Sequence, residues 1–338
     1  MPGGREISLF TLDNGRISAS VSDLGALLVR LFVPDKNGEM EDIVLGYDSG
    51  EEYLDNPHCI GAVILPVANR TKDASLVIDG AEYHLPANEG KNNLHSDKAS
   101  FITMCDVADQ GEDFITFVQT RADMEDGLPG DRRFETTYTL LADGLRIDYH
   151  VTSTRASYIN PTNHSYFNLA GAAGGNVGSQ DLRIFASAYT PIGNEMIPTG
   201  EIRPVRGTAF DFLESKPIGR DIESGDPQLV LANGYDHNFV IDGYKGDGTL
   251  LPVACAQDPA SGRVLTVSST MPGVQLYTAN FTDIAKGKNG VHYRPGGAFC
   301  LETQFFPDNI HHDNFAHSVF GGDTELRSAT VFGFSVSE

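Results

Sequence analysis

Two-residue alternation is the strongest constraint on how this chain folds. Leu145, Ile147, Tyr149 and Val151 are apolar, while Arg146, Asp148 and His150 between them are polar or charged. Side chains of an extended strand alternate between its faces, so this pattern describes a strand with one dry and one wet face. No segment keeps apolar residues at i, i+3, i+4 and i+7 over three turns, so the chain has to bury its apolar surface with sheets. Phe114–Val118, Thr136–Leu141, Asn238–Ile241, Val264–Ser268 and Phe299–Phe305 also read as strands, being rich in β-branched and aromatic residues. Asn14-Gly15, Asn37-Gly38, Asp79-Gly80 and Asp143-Gly144 are hairpin dipeptides, because Asn, Asp and Gly tolerate the positive φ of tight turns. Leu76-Val77-Ile78 and Tyr83-His84-Leu85 flank Asp79-Gly80 and make the clearest hairpin. Helix is expected only as short pieces near Glu51–Leu54 or Gly219–Ser224.

The expected architecture is all-β, a large antiparallel β-sandwich with very little helix. No linker, repeat or composition shift divides the chain, so residues 1–338 are expected to form a single domain. Hydrophobic residues make up 40%, enough for a true core. With 46 acidic against 24 basic side chains, the formal net charge is −22. Nucleic acid and anionic membrane surfaces need a positive footprint, so neither is an expected partner. A heavily phosphorylated substrate would need a local basic pocket. Met1–Phe10 has no apolar run of the signal-peptide kind, and the most apolar stretch, Ile60–Ala68, is too short to span a bilayer. Cys59, Cys105, Cys255 and Cys300 lie far apart with no Cys-x-x-Cys spacing. They read as free thiols of a soluble protein in a reducing cytoplasm.

Several clusters carry chemistry. In Asn160-Pro161-Thr162-Asn163-His164-Ser165-Tyr166-Phe167-Asn168-Leu169, the chain should be extended after the proline, with His164, Tyr166 and Asn168 on one face. His164 is suited to be a general acid, a sugar contact or a structural histidine of a polar loop. In Phe299–Asp308, Cys300, Glu302 and Gln304 share a face opposite Phe299, Leu301, Thr303 and Phe305. Burial there would raise the Glu302 pKa and suit it to general-base work, whereas a one-sided sheet would leave it on an exposed face. Ala68-Asn69-Arg70-Thr71 and Asn88–His95 carry donors for hydroxyl groups, or form a polar loop beside the hairpin. Asp236 is placed to accept from a hydroxyl or to cap a strand, and Gln275 to be a neutral contact or a plain strand residue.

The stretch Asp308, His311, His312, Asp313 and His317 lacks the i, i+4 pairing of a metal-binding helix, and adjacent histidines on an extended chain point apart. A solvated loop is expected there, and no metal. Gly-x-Gly-x-x-Gly, Walker-type and Gly-x-Ser-x-Gly sequences do not occur, so neither a nucleotide cofactor nor a serine hydrolase of that type is supported.

Taken together and in order, these clusters resemble the aldose 1-epimerase (galactose mutarotase) family. The carrying pieces are Ala68-Asn69-Arg70, Asn93-Leu94-His95, Asp126-Gly127-Leu128-Pro129-Gly130, Asn163–Leu169, Asp236-His237-Asn238, Pro272–Tyr277, and Leu301–Gln304 with Phe306-Pro307-Asp308. The resemblance implies a β-sandwich with an open sugar cleft. It also implies interconversion of the anomers of a free, neutral aldose without a cofactor. By position it makes Glu302 the general base and His164 the general acid, with Asn69, Arg70, His95, Asp236 and Gln275 as substrate contacts. A sugar-phosphate 1-epimerase would need more arginines around the cleft, and a non-catalytic sugar-binding relative would be expected to lack Glu302 or His164. The acidic surroundings are expected to raise the His164 pKa and favour its imidazolium. Two departures from the family pattern, Leu65-Pro66 in place of Gly-Arg and Ser96-Asp97 in place of two glycines, are expected at the rim. With no tryptophan in the chain, sugar stacking falls to Phe, Tyr or His.

Overall fold

The computed structural model describes residues 4–97 and 99–337, so residues 1–3 of the Met1–Phe10 stretch lie outside the described residues. Nine antiparallel strands form the largest sheet, in the spatial order Asp106–Gln110, Phe114–Arg121, Arg132–Leu141, Gly144–Ser153, Leu326–Val336, Arg263–Ser269, Leu251–Gln257, Asp181–Ile184 and Lys216–Pro217. A five-stranded antiparallel sheet runs Arg203–Pro204, Ala188–Thr190, Asp236–Val240, Gly273–Tyr277 and Cys300–Gln304. A third sheet has four strands, Leu9–Asp13, Ser18–Ser22, Leu28–Pro34 and Met40–Asp42.

One apolar core joins all three sheets. Phe117, Tyr138, Ile147, Val267 and Phe332 of the nine-stranded sheet pack in a single cluster with Val21 and Leu31 of the four-stranded sheet and Phe239, Val274 and Leu276 of the five-stranded one. The architecture is the sandwich that the alternation requires. In Gly144–Ser153 the residues Leu145, Ile147, Tyr149 and Val151 are buried and those between them half-buried. Helix is confined to short pieces. Glu52–Asp55 and Ile218–Arg220 are 3-10 turns where short helices are expected, and Pro227–Ala232 is a six-residue α-helix. No helix among the described residues is long and apolar enough to cross a membrane. All four cysteines are unpaired.

Three of the four hairpin dipeptides make the turns they describe. Asp79 and Gly80 both hold positive φ (51° and 78°) between Ser75–Ile78 and Ala81–His84. Asp143-Gly144 differs. Gly144 already belongs to the second strand, opposite Leu141, and the turn falls on Ala142-Asp143. The glycine is needed because a Cβ there would lie 2.6 Å from the Phe332 carbonyl oxygen of the neighbouring strand. Gly127 has the stricter requirement. Its φ is 87°, and a Cβ would collide with the His84 carbonyl oxygen of the Asp79-Gly80 hairpin. Gly127→Ala is expected to cost at least about 2 kcal/mol, from the left-handed backbone and the forced separation. A urea unfolding curve with an unchanged midpoint would contradict that assignment.

Candidate active site

Strand register assembles the site. Asp236–Val240 pairs with Gly273–Tyr277, which pairs with Cys300–Gln304, so that Asn238, Gln275 and Glu302 form one row across the sheet. Phe239, Val274, Leu276 and Leu301 point into the core. Alternation therefore sends Asp236, Gln275, Tyr277, Cys300 and Glu302 to the opposite face. Two short ladders lie beside that face: Thr162–His164 on Ala62–Ile64, and Arg70–Thr71 on Asn93–Leu94. Between them opens a cleft of about 400 Å³. Asn69, Arg70, His95, His164, Asp236 and Glu302 all line it. Gln275, the seventh residue singled out in the sequence, does not; it sits behind the wall and donates from Nε2 to Asp236 Oδ1 at 2.6 Å.

Glu302 is 2% exposed, so its strand is not the outward face of a one-sided sheet. Its Oε1 lies 3.7 Å from His164 Nε2, and its Oε2 has no hydrogen-bond partner among the described residues. Burial first, then the Asp236 charge, push its pKa well above the ordinary carboxylate value, with Arg70 opposing. His164 lies flat on Tyr166, ring centroids 4.9 Å apart and planes 22° apart, as expected for neighbours on one strand face. Asn168 leaves that face and instead donates to the Gly175 and Gly297 carbonyls. Burial drives the His164 pKa from 6.5 to about 4, only partly offset by a backbone hydrogen bond. The expectation of a raised pKa is therefore wrong. Net molecular charge is distant and screened, whereas loss of water at the ring is local.

Arg70 is the one lysine or arginine lining the cleft among the described residues, and its charge is already used. Nε and Nη2 donate to Glu89 Oε2 and Oε1 at 2.8 and 2.9 Å, and Nη1 lies 3.5 Å from Asp236 Oδ2. Burial would lower its pKa, but Asp236 and Glu89 outweigh that and raise it. Burial raises the Asp236 pKa, opposed by Arg70 and Gln275. The His/Asp-rich stretch supports this strand from behind. The Asp308 N–H donates to the Arg70 carbonyl at 3.0 Å, and Asp308 Oδ1 accepts from the Lys72 N–H at 2.9 Å. Asp308 is fully buried, and Asn309–His311 is a 3-10 turn. That turn brings His311 and His312 to the same carboxylate, at 2.6 and 3.5 Å. The loop is solvated as expected, with His311, Asp313 and His317 exposed, but its adjacent histidines converge on one buried carboxylate instead of pointing apart.

Backbone strain marks the opposite wall. Cys59, Asn69, His95 and Ser96 all hold positive φ, between 53° and 63°. Such residues persist where neighbours fix them. The Asn69 N–H donates to His95 Nδ1 at 3.1 Å, and Asn69 Oδ1 accepts from the Arg70 N–H at 2.8 Å. Ser96 Oγ donates to the Val67 carbonyl and accepts from the Val67 N–H, at 2.9 and 2.8 Å. Those two bonds hold Ser96 in its left-handed conformation. Leu65-Pro66, a cis peptide, is buried beneath the cleft and does not reach its rim. His95, His164 and Glu302 bring ligand atoms within 4.8 Å of one another, a grouping able to hold a cation. His95 is a poor ligand, however. Burial, His164 and Arg70 hold its pKa well below 6.5, so the ring is neutral. With Nδ1 accepting from Asn69, the single ring proton sits on Nε2. His95 faces the cleft as a donor.

The comparisons agree with this geometry. The family model for aldose 1-epimerase matches residues 8–331. The chain belongs to the aldose 1-epimerase family. A galactose mutarotase of Homo sapiens is 38% identical over 99% of this chain and 96% of its own length. An aldose 1-epimerase of Haemophilus influenzae is 31% identical over 95% of this chain and 92% of its own. The crystal structure of an aldose epimerase homologue from C. elegans superposes with a TM-score of 0.91 at 28% identity, covering 98% of this chain and all of that one.

Sequence reasoning did not single out Glu89, Tyr166 or Cys300, nor the wall formed by Asn56, His58 and Phe281. Their signal was weak: they come from loops, or sit inside motifs read for other residues. The low His164 pKa has a consequence for stability. A neutral buried histidine stabilises the fold fully above its unfolded value of about 6.5, and that contribution is lost as pH falls through about 4. The loss amounts to roughly 3 kcal/mol. Urea midpoints should fall between pH 6.5 and 4, and fall less in His164→Gln. Parallel pH profiles for the two proteins would refute this. Glu302 has the opposite sign: its contribution is present at low pH and lost as pH rises through its raised folded value.

Proposed function

We propose that this chain is an aldose 1-epimerase that interconverts the α and β anomers of a neutral free aldose such as galactose or glucose. The observation that carries this reading is a buried carboxyl with a partnerless oxygen, Glu302 Oε2, facing an imidazole nitrogen 3.7 Å from its other oxygen. The two oxygens on an anomeric carbon are attached to the same atom, so an acid and a base serving both must be close neighbours.

The Glu302 carboxylate takes the proton of the anomeric hydroxyl. The bond from C1 to the ring oxygen breaks, its electron pair goes to that oxygen, and His164 Nε2–H supplies the proton. Rotation about C1–C2 turns the other aldehyde face to the ring hydroxyl, and the same transfers run backwards on closure. A neutral acid with a neutral imidazole, and a carboxylate with an imidazolium, hold the same number of protons. The pair therefore shifts between resting and working forms without exchange with solvent. Burial makes each working form more reactive, the carboxylate a stronger base and the imidazolium a stronger acid. Asn69, Arg70, His95 and Asp236 are read as contacts to sugar hydroxyls, and Gln275 as acting through Asp236.

The cleft disfavours the sugar-phosphate alternative. Among the described residues, Glu89, Asp97, Asp236 and Glu302 line it against one cation, Arg70, which two carboxylates already engage. A non-catalytic binding role gives no reason for a buried acid/base pair. Four unpaired cysteines support a reducing compartment, the cytoplasm, and we read residues 1–338 as one domain.

Polarimetry of freshly dissolved α-galactose and α-glucose should show faster mutarotation with the protein, and galactose 6-phosphate should show little. Glu302→Gln should fold normally and lose at least about a thousandfold in kcat. If it kept most of the rate, the base assignment would fail; if no neutral aldose were accelerated, the function would.

A further inference from the structure

The nitrogen of His164 that faces away from Glu302 has one side-chain partner among the described residues, Cys300. Its sulfur lies 3.5 Å from Nδ1, within the range of a sulfur hydrogen bond, and both residues are buried. Cys300 is two residues from Glu302 on the same strand and the same face. One strand thus supplies the base itself and the contact behind the acid. Tyr166 stacks on the imidazole, with the edges of His95 and Tyr277 against it at 5.2 and 6.2 Å, so the ring has little freedom to turn over.

We propose that Cys300 is a positioning residue. Its sulfur accepts the Nδ1–H of His164, and this fixes the tautomer whose Nε2 carries the lone pair facing Glu302. The inference deepens the acid/base reading above and rests on it. Only in that tautomer does a proton pass directly between Glu302 and Nε2. With the proton on Nε2 instead, a neutral ring would have to leave as an imidazolate to act as an acid.

The choice of sulfur has a second effect. Many acid/base histidines are oriented by a carboxylate, whose charge raises the imidazole pKa. Here burial, with the Glu302 and Asp236 charges, keeps the Cys300 thiol protonated, so the sulfur is a neutral acceptor. It orients the ring without stabilising the imidazolium strongly, and His164 stays a strong acid when it is charged.

The test combines nitrogen NMR with kinetics. Long-range 15N–1H correlation spectra, with His164 assigned by its absence in His164→Gln, should show a protonated Nδ1 and an unprotonated Nε2 in the resting protein. Cys300→Val keeps nearly the same volume and removes the acceptor. It should populate the other tautomer and lower kcat for galactose at least tenfold, with KM changed less than threefold. Cys300→Ser restores an acceptor and should restore both the tautomer and most of kcat. The proposal is overturned if the parent carries its proton on Nε2, or if Cys300→Val leaves tautomer and kcat unchanged. It is also overturned if Cys300→Ser behaves like Cys300→Val. Failure of the acid/base reading itself would appear separately, as a His164→Gln variant that keeps its rate, whatever the spectra show.

Discussion

The site depends on one register. Because Gln275 pairs with Glu302, and Asn238 with Gln275, every second residue of three strands lies on the cleft side of the sheet, while the intervening ones anchor the main core. A slip of one residue would send Glu302 into the apolar cluster and Leu301 into the cleft. The free energy that holds the register comes from Phe239, Val274, Leu276 and Leu301, none of which touches the chemistry. Core packing thus fixes the position of a carboxyl whose burial is itself unfavourable.

That burial is the working principle of the pair. Desolvation moves Glu302 and His164 in opposite directions, one towards holding a proton and one towards losing it. What favours the charged forms does not outweigh this: Arg70 only opposes the shift of Glu302, and a backbone hydrogen bond only partly offsets that of His164. The supporting bonds go to the surrounding donors instead: Arg70 by Glu89 and Asp236, the Arg70 strand by Asp308, Asp236 by Gln275, and His95 by the Asn69 amide. In the proposed reading, the groups assigned to binding are fixed by strong contacts, and the acid/base pair is left free to exchange protons.

Much of this was legible in the sequence for a simple reason. Strands with one wet face write their period into the chain, as Leu145–Val151 does, and Asx-Gly pairs mark where it turns. The ordered motifs carried Glu302, His164 and most of the residues that share their cleft. What was hidden depended on facts that alternation does not encode. Glu302 alternates with apolar residues as a surface glutamate would, and only the covering ladders make its face an interior. Pro227–Ala232 is too short to show a helical period, although Asp226 caps it and Pro227 opens it. His311 and His312 converge because a single 3-10 turn replaces extended chain. The His164 pKa followed local water, which a count of charges does not describe.

The pairing of Arg70 with Glu89 and Asp236 has a consequence for how the protein meets its substrate. A cation spent on two carboxylates projects little field beyond the cleft, and a neutral sugar would not answer to it. Electrostatic steering therefore has no part in filling this site. Its supply is set by diffusion, by sugar concentration and by how readily water leaves the walls. The charge of −22 acts elsewhere, on the approach of other charged macromolecules. The protein is strongly charged towards its neighbours and nearly silent towards what it binds.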